Sequence, residues 1–194
     1  VEARKIQLPI VRRAEMLGEL LKLKNTSIAV SGTHGKTSTT SMMGSILTEA
    51  LFDPTLIIGG VVKNLNANAL LGEGDIIVAE ADEFDKSFLQ LSPTHSIITN
   101  IDSEHLDCYG SKENLVKAFN EFANSTAFYG SIILCIDDLL LKSIIPNISR
   151  PIITYGFSGD AEFQAVNRKF RDYHSFFDVK HKGNLLGSIE LEVP

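Results

Sequence analysis

The 194-residue sequence predicts an α/β fold, a mostly parallel sheet flanked by helices with an added antiparallel β segment near the C-terminus. A short apolar run at Ile28–Val30 leads into a glycine-rich loop and then into a helix-like segment. Further apolar runs alternate with helix-like segments as far as residue 155, an order typical of a parallel sheet. From Glu162 onward, turn residues separate short apolar runs, which indicates antiparallel strands.

The loop after the first predicted strand has the composition of a phosphate-binding loop, or P-loop. Residues 32–37 read Gly-Thr-His-Gly-Lys-Thr. Glycines let backbone N–H groups turn inward, and the N-terminus of the following helix favours an anion. Lys36 is expected to reach the β- and γ-phosphates, and the Thr37 hydroxyl to hold Mg²⁺. The stretch predicts a nucleoside triphosphate site in a P-loop-type sheet, with these phosphate-binding residues: Gly32, Thr33, His34, Gly35, Lys36, Thr37 and Ser38.

The loop departs in one respect from the common pattern G-x-x-x-x-G-K-[ST]. Val30 stands where the first glycine belongs, and Gly32 lies three residues before Gly35 instead. The alternative is a glycine-rich turn with an incidental lysine. We favour the phosphate site because the strand, the Gly-Lys-Thr sequence and the amphipathic helix all agree with it.

One helix is predicted before the first strand in the sequence and one after it. One begins at Pro9 and ends near Lys24, with apolar residues at helical spacing: Ile10, Ala14, Leu17 and Leu21. The other spans residues 37–51 and should cover one face of the sheet, because apolar pairs recur every four residues: Met42/Met43, Ile46/Leu47 and Ala50/Leu51.

The next two strands differ in how they end. Leu56–Ile58 predicts a strand that Gly59-Gly60 breaks, followed by a loop over residues 61–74. Ile76–Ala79 is an apolar run typical of a buried parallel strand. Carboxylates after a strand are usually a solvated loop, but P-loop proteins hold Mg²⁺ with a carboxylate at this position. We expect at least one metal-associated group among the four that follow: Glu80, Asp82, Glu83 and Asp85.

A second polar cluster follows the strand predicted at Ser96–Thr99. Residues 100–107 read Asn-Ile-Asp-Ser-Glu-His-Leu-Asp. Spacing alone leaves open whether His105 contacts a ligand. The remaining predicted elements are a helix over 112–126, a strand over 132–136, a helix over 139–145 ended by Pro146, a strand over 152–155, and the antiparallel strands, with turns at Arg171-Asp172 and Lys182–Asn184.

Composition and charge exclude several classes of partner. The net charge is −6 and basic residues form no long run, which argues against a nucleic-acid partner. No apolar run is long enough to span a membrane, and the first residues contain no signal-peptide core. Cys108 and Cys135 lack metal-ligand spacing and suggest a reducing compartment, so the expected location is cytoplasmic.

Three motifs in register resemble the Mur ligase family, which builds the peptide stem of bacterial peptidoglycan. They are residues 32–37, the Glu-Ala-Asp-Glu of residues 80–83, and residues 100–107. Ile10–Leu17 and Ser87–Pro93 are similar to the family too, so the resemblance covers essentially the whole chain.

The resemblance implies an ATP-dependent amide ligase with Lys36, Glu80 and His105 as its catalytic residues. Lys36 would contact the γ-phosphate, Thr37 and Glu80 would hold one Mg²⁺, and His105 would be the ligand of a second metal site. The implied substrates are UDP-N-acetylmuramate and L-alanine, joined through an acyl phosphate. Residues 1–24 would be a linker from an N-terminal UDP-substrate domain and residues 25–194 the central ATPase domain, with a C-terminal amino-acid-binding domain absent.

Two positions depart from the wider family. Several Mur ligases carry a carbamylated lysine in the helix after the histidine, where Asn120 stands here with Lys117 nearby. Members that add L-alanine lack that lysine, so the departure favours them. Phe84 replaces their usual serine, which keeps open a ligase that reattaches a recovered tripeptide. Folylpolyglutamate synthetase fits Glu80–Glu83 poorly, and a nucleotide switch of the GTPase kind would need an Asn-Lys-x-Asp motif, which the sequence lacks.

Overall fold

Residues 2–62, 67–102 and 106–192 are the part of the chain that the structure, a computed structural model, describes. Within it the chain forms a ten-stranded sheet. In chain order the strands are β1 (Thr26–Ser31), β2 (Thr55–Val62), β3 (Ala67–Leu70), β4 (Ile76–Glu80), β5 (His95–Ile98), β6 (Ser131–Cys135), β7 (Ile152–Gly156), β8 (Phe163–Arg171), β9 (His174–His181) and β10 (Asn184–Leu191).

The strand order across the sheet is β10-β9-β8-β7-β6-β5-β1-β4-β2-β3. All neighbours from β8 across to β2 run parallel. At one edge β3 pairs antiparallel with β2, and at the other β9 and β10 continue the sheet as antiparallel strands. The predicted fold class is therefore confirmed, including the antiparallel segment near the C-terminus.

Helices cover both faces of this sheet. They are α1 (Glu2–Lys5), α2 (Arg13–Leu21), α3 (Lys36–Glu49), α4 (Leu106–Tyr109), α5 (Lys112–Ser125) and α6 (Leu139–Ile144), with 3-10 segments at Phe84–Gln90 and Ile145–Asn147. The predicted helices over 37–51, 112–126 and 139–145 are confirmed as α3, α5 and α6. None of the described helices is long and apolar enough to cross a membrane.

The sheet has one apolar core on each face, because neighbouring residues of a strand point to opposite sides. In β1, Ala29 packs into the larger core with residues of α2, α5 and the first 3-10 segment, whereas Val30 packs into the smaller core under α3. Phe88 lies at ring-centroid distances of 5.2 Å from Phe119 and 4.9 Å from Phe122. These contacts anchor the 3-10 segment, and with it the carboxylate-rich turn that precedes it, against α5.

The prediction that Gly59-Gly60 breaks the second strand is wrong, and so is the prediction of a loop over all of residues 61–74. The strand β2 continues through both glycines to Val62, and β3 pairs with it antiparallel. Glycine weakens a strand but does not forbid it, and it often marks a close approach of another group. Residues 63–66 of the predicted loop lie outside the described residues.

The first predicted helix begins later than expected. It starts at Arg13, and Ile10 lies before it with 59% of its surface exposed. The Arg12 backbone N–H donates to the Glu15 carboxylate at 2.8 Å, which caps the helix at this point. The short helix α1 was not predicted.

We expect the stability of the fold to depend on pH through His95. Burial lowers the pKa of His95, whose Nδ1 accepts a hydrogen bond from the Ser131 N–H at 3.1 Å, so the native state needs the neutral ring. The unfolded imidazole titrates near ~6.5. As the pH falls through that value, the unfolded state binds the proton first and stability should fall, until the depressed native pKa is passed.

His95→Asn, which keeps an acceptor but does not titrate, should remove this part of the pH dependence. The measurement is denaturant unfolding at several pH values between about 5 and 8, the range around the imidazole pKa. An unchanged slope of stability against pH in the variant would contradict the assignment.

Candidate nucleotide-binding site

The glycine loop lies near the middle of the carboxyl edge of the parallel strands. β1 pairs on one side with β4 and on the other with β5. Residues that follow these three strands therefore meet at one edge, where α/β sheets bind their ligands. The groups that meet are the loop itself, Glu80 at the end of β4, and Thr99 and Asn100 after β5.

Two glycines are required by the path of the loop. Gly32 has a φ of +134°, and a Cβ there would lie 2.0 Å from Oγ1 of Thr99. Gly35 has a φ of +81° and is the N-cap residue of α3. Both φ values strain residues with a side chain. The local backbone therefore accounts for the spacing of Gly32 and Gly35.

Residues after β5 hold the loop in place. Asn100 Oδ1 accepts from the His34 N–H at 2.8 Å, and Asn100 Nδ2 donates to the His34 carbonyl at 3.0 Å. Thr99 Oγ1 donates to the same carbonyl at 2.6 Å. The Thr33 N–H donates to the Asn100 carbonyl at 3.1 Å. Two predicted phosphate-binding residues, Thr33 and His34, thus direct their N–H groups to Asn100.

The N-terminus of α3 supplies the anion-binding groups. The first N–H groups of a helix have no acceptor within it, and α3 begins with Lys36, Thr37 and Ser38. The Thr39 N–H already bonds to the Gly35 carbonyl at 2.9 Å. The 14-residue helix directs the positive end of its dipole at the loop. Backbone geometry and dipole together favour a phosphate at this terminus.

The Thr37 hydroxyl joins this helix terminus to the end of β4. Its Oγ1 donates to the two carboxylate oxygens of Glu80 at 3.1 and 3.0 Å. The Gly59 N–H of β2 donates to Glu80 Oε2 at 2.8 Å and so orients the carboxylate. Mg²⁺ prefers oxygen ligands and usually takes several of them from phosphate and water. Thr37 and Glu80, both predicted as metal-binding residues, therefore fit a Mg²⁺ ion.

The third predicted metal-binding residue, His105, lies outside the described residues. Within residues 2–62, 67–102 and 106–192, no three His, Cys, Asp or Glu side chains lie close enough together to hold a metal ion. A magnesium site next to bound phosphates needs only one or two side-chain ligands.

Lys36 forms a buried ion pair that the sequence did not predict. Its Nζ donates to Glu83 Oε2 at 2.7 Å, to the Gly32 carbonyl at 2.7 Å and to the Thr33 carbonyl at 3.3 Å. The Lys36 side chain is 14% exposed and that of Glu83 is 1% exposed. Asp82 instead accepts from the Phe84 N–H at 3.1 Å. Nothing in the spacing of the carboxylates distinguishes Glu83 from its neighbours.

A cavity of about 330 Å³ lies against these groups. Its lining includes Lys36, Thr37 and Glu80, and Arg13 from α2 adds a second cation that sequence analysis did not assign to the site. A larger concave surface of about 680 Å³ lies over β8, β9 and β10, and its lining includes no residue of the glycine loop. We therefore place the candidate site at the smaller cavity.

We expect Gly59→Ala to weaken Mg²⁺ binding. A Cβ at Gly59 would lie 3.0 Å from Glu80 Oε1, so the carboxylate would have to shift. The neighbouring Gly60 is a matched control, because a Cβ there would lie 3.5 Å from Cγ2 of Thr37, an ordinary contact. The Mg²⁺ concentration for half-maximal ATP binding should rise about tenfold in Gly59→Ala, the size typical of disturbing a ligand's support. Equal effects of the two substitutions would contradict this role of Gly59.

Residues 30–193 match the Mur ligase middle domain, and the chain therefore belongs to the Mur ligase family. The UDP-N-acetylmuramate--L-alanine ligase of Desulfotalea psychrophila is 47% identical over 191 residues, which is 98% of this chain and 42% of that protein. The solved UDP-N-acetylmuramate-alanine ligase of Thermotoga maritima has a TM-score of 0.82 at 28% identity, covering 100% of this chain and 43% of that one. The resemblance predicted from three motifs is confirmed.

A third relative shows the fold alone. It is the UDP-N-acetylmuramate:L-alanyl-gamma-D-glutamyl-meso-diaminopimelate ligase of Neisseria meningitides, with a TM-score of 0.85 at 22% identity, covering 100% of this chain and 63% of that one. The chain spans about two fifths of the length of the curated relatives that it matches.

Proposed function

We propose that this chain is the ATP-binding part of a ligase that joins L-alanine to UDP-N-acetylmuramate in peptidoglycan synthesis. The names of its relatives support this choice of substrates. The observation that carries the proposal is the contact between Thr37 and Glu80, because it joins a phosphate-binding helix terminus to a strand-end carboxylate. The two free cysteines, Cys108 and Cys135, support a cytoplasmic location.

The first proposed step is phosphoryl transfer to the lactyl carboxylate of the muramyl group. A carboxylate oxygen attacks the γ-phosphorus of ATP, the bond to the β–γ bridging oxygen breaks, and ADP and an acyl phosphate result. The backbone N–H groups at the start of α3 would bind the phosphates, and Lys36 would offset their negative charge. Thr37 and Glu80 would hold Mg²⁺, which when bound supplies further charge neutralisation.

The second proposed step is amide formation. The amine of L-alanine attacks the acyl carbon, and the resulting tetrahedral intermediate loses inorganic phosphate and a proton. Alignment of reactants provides most of the acceleration in such a reaction, so the protein needs no nucleophile of its own. The hydrogen bonds between Asn100 and the His34 backbone hold the glycine loop in place, which is consistent with catalysis by alignment.

We further propose that residues 1–24 connect to an N-terminal UDP-substrate domain, that residues 25–194 are the central ATPase domain, and that an amino-acid-binding domain lies C-terminal to it. Holding the reactants in alignment can supply roughly 7–11 kcal/mol of the reaction barrier. The central domain alone lacks the two domains that would position UDP-N-acetylmuramate and L-alanine. The 194-residue chain should therefore bind Mg-ATP weakly and form no amide product. Ligation by this chain at the rate of a complete ligase would contradict the three-domain proposal.

The test of function is phosphate release by the complete ligase with each reactant omitted in turn. We expect release only when ATP, Mg²⁺, UDP-N-acetylmuramate and L-alanine are all present, with amide product in equal amount. A preference for the tripeptide over L-alanine would favour the recycling ligase, the alternative left open by Phe84. Turnover without either acceptor would indicate a nucleotide switch and would contradict the proposal.

A further inference from the structure

The ammonium group of Lys36 is fully engaged in this structure. A lysine ammonium has three N–H donors. The Lys36 group has three acceptors, the carbonyls of Gly32 and Thr33 and the carboxylate of Glu83. Lys36 must therefore exchange or share at least one of these partners when it binds a phosphate oxygen.

Contacts on either side of Glu83 fix its position. The Tyr109 hydroxyl donates to the Glu83 carbonyl, and the Tyr109 side chain is itself buried. The Lys86 N–H donates to the same carbonyl at 3.1 Å. Phe88 lies within the 3-10 segment that follows Glu83. Its ring is buried against α5 and holds that segment in place. These buried contacts fix the backbone at Glu83, and its carboxylate contacts Lys36 from that position.

The three partners of Lys36 differ in what their release costs. The carbonyls of Gly32 and Thr33 are neutral, and losing one hydrogen bond to either is a modest change. Glu83 is 1% exposed, and an ionised carboxylate left without its cation in such a place is strongly unfavourable. A triphosphate should therefore replace the carbonyls and leave the Lys36–Glu83 contact intact.

We propose that Glu83 is a positioning residue that holds the Lys36 ammonium in place before and during phosphoryl transfer. This inference rests on the proposed function and adds to its site a residue that holds Lys36 in position. Glu83 is not among the residues that line the cavity, so it would act on the reaction through Lys36, which does line it. Tyr109 supports it by fixing the backbone at Glu83.

The kinetic test uses Glu83→Gln in the complete ligase, with Glu121→Gln on the exposed face of α5 as the matched control. The neutral amide keeps an acceptor but loses the charge that fixes Lys36. We expect kcat to fall about tenfold or more, the effect of a small misplacement, while the Kd for Mg-ATP does not rise. Tyr109→Phe should change kcat in the same direction by a smaller factor. The Glu121→Gln control should leave both constants unchanged.

A second test does not depend on the reaction. Thermal unfolding of the 194-residue chain is compared for wild type, Lys36→Met, Glu83→Gln and the double variant. Lys36→Met removes the ammonium group that contacts the buried carboxylate and should lower the Tm by about 5 °C or more. The double variant removes both charges and should be more stable than Lys36→Met, so the two changes are not additive.

Additive Tm shifts, or a parallel loss of kcat and Mg-ATP affinity in Glu83→Gln, would overturn the role of Glu83. These outcomes differ from failure of the proposed function, which would appear as absence of ATP binding or ligation in the wild-type protein. If Glu83→Gln does not fold, an unchanged kcat in folded Tyr109→Phe, together with a double variant that is no more stable than Lys36→Met, overturns the inference.

Discussion

Replacement of Lys36 by alanine is expected to reduce ligation by about 10²–10³-fold in kcat, the loss seen when a preorganised group that stabilises transition-state charge is removed. The ammonium lies at the N-terminus of α3, where phosphate should bind, and the alanine side chain carries no charge to replace it. The measurement is steady-state phosphate release by the complete ligase at saturating substrates. Near-normal turnover with unchanged ATP affinity would contradict the assignment of the phosphate site.

The same substitution should also destabilise the fold. Alanine leaves the Glu83 carboxylate buried without its cation, which costs about 3–5 kcal/mol when a buried pair is broken. Lys22→Ala is a suitable control, because Lys22 pairs with Glu19 at 2.6 Å on the surface. An exposed pair is worth at most about 1 kcal/mol. Denaturant unfolding of both variants measures the difference, and equal losses would show that burial of the Lys36 pair does not matter.

Glu80→Gln is expected to have the second largest effect. The amide can still accept from the Gly59 N–H, so the local backbone should be preserved, but it no longer offers a charged oxygen beside Thr37. We expect Mg²⁺-dependent activity to fall about 100-fold, with a higher Mg²⁺ requirement. The measurement is a Mg²⁺ titration of phosphate release at fixed ATP.

His105→Ala should also weaken Mg²⁺-dependent activity, though less than Glu80→Gln. This expectation comes from the family resemblance, since His105 lies outside the described residues.

For Glu80→Gln, the control for loss of a carboxylate is Glu73→Gln, on the exposed loop after β3. A Mg²⁺ requirement that Glu80→Gln leaves unchanged would contradict the role of Glu80 in holding the metal.

Periodicity and strand ends were sufficient to predict the parallel sheet and to bring Thr37 and Glu80 to one edge of it. The apolar runs at Ile28–Val30 and Ile76–Ala79 became β1 and β4, and these strands are adjacent and parallel. Their carboxyl ends therefore brought Thr37 and Glu80 together. Short-range patterns are reliable here because buried parallel strands require continuous apolar sequence.

The strand through Gly59-Gly60 could not be predicted in the same way. Two adjacent glycines usually interrupt a strand, and only tertiary structure reveals that β2 pairs with β4 on one side and with β3 on the other. The reason for a glycine at position 59 is the Glu80 carboxylate, which belongs to the neighbouring strand. Long-range contacts of this kind leave no periodic signal.

The ion pair of Lys36 and Glu83 is a second example. Four carboxylates lie within residues 80–85, one at the end of β4 and three after it, and their spacing gives no order of burial. Glu83 is buried because Tyr109 and the anchored 3-10 segment fix the turn around it. Asn100 was likewise part of a recognised motif, but its bonds to His34 depend on β5 lying next to β1.

The most direct test of the central claim follows oxygen atoms through the reaction. UDP-N-acetylmuramate with ¹⁸O at both oxygens of its lactyl carboxylate is incubated with the complete ligase, ATP, Mg²⁺ and L-alanine. Attack of the carboxylate on the γ-phosphorus predicts one ¹⁸O atom in each inorganic phosphate released and one in each amide product. Amide formation with unlabelled phosphate would contradict an acyl phosphate intermediate, and with it the mechanism proposed for this site.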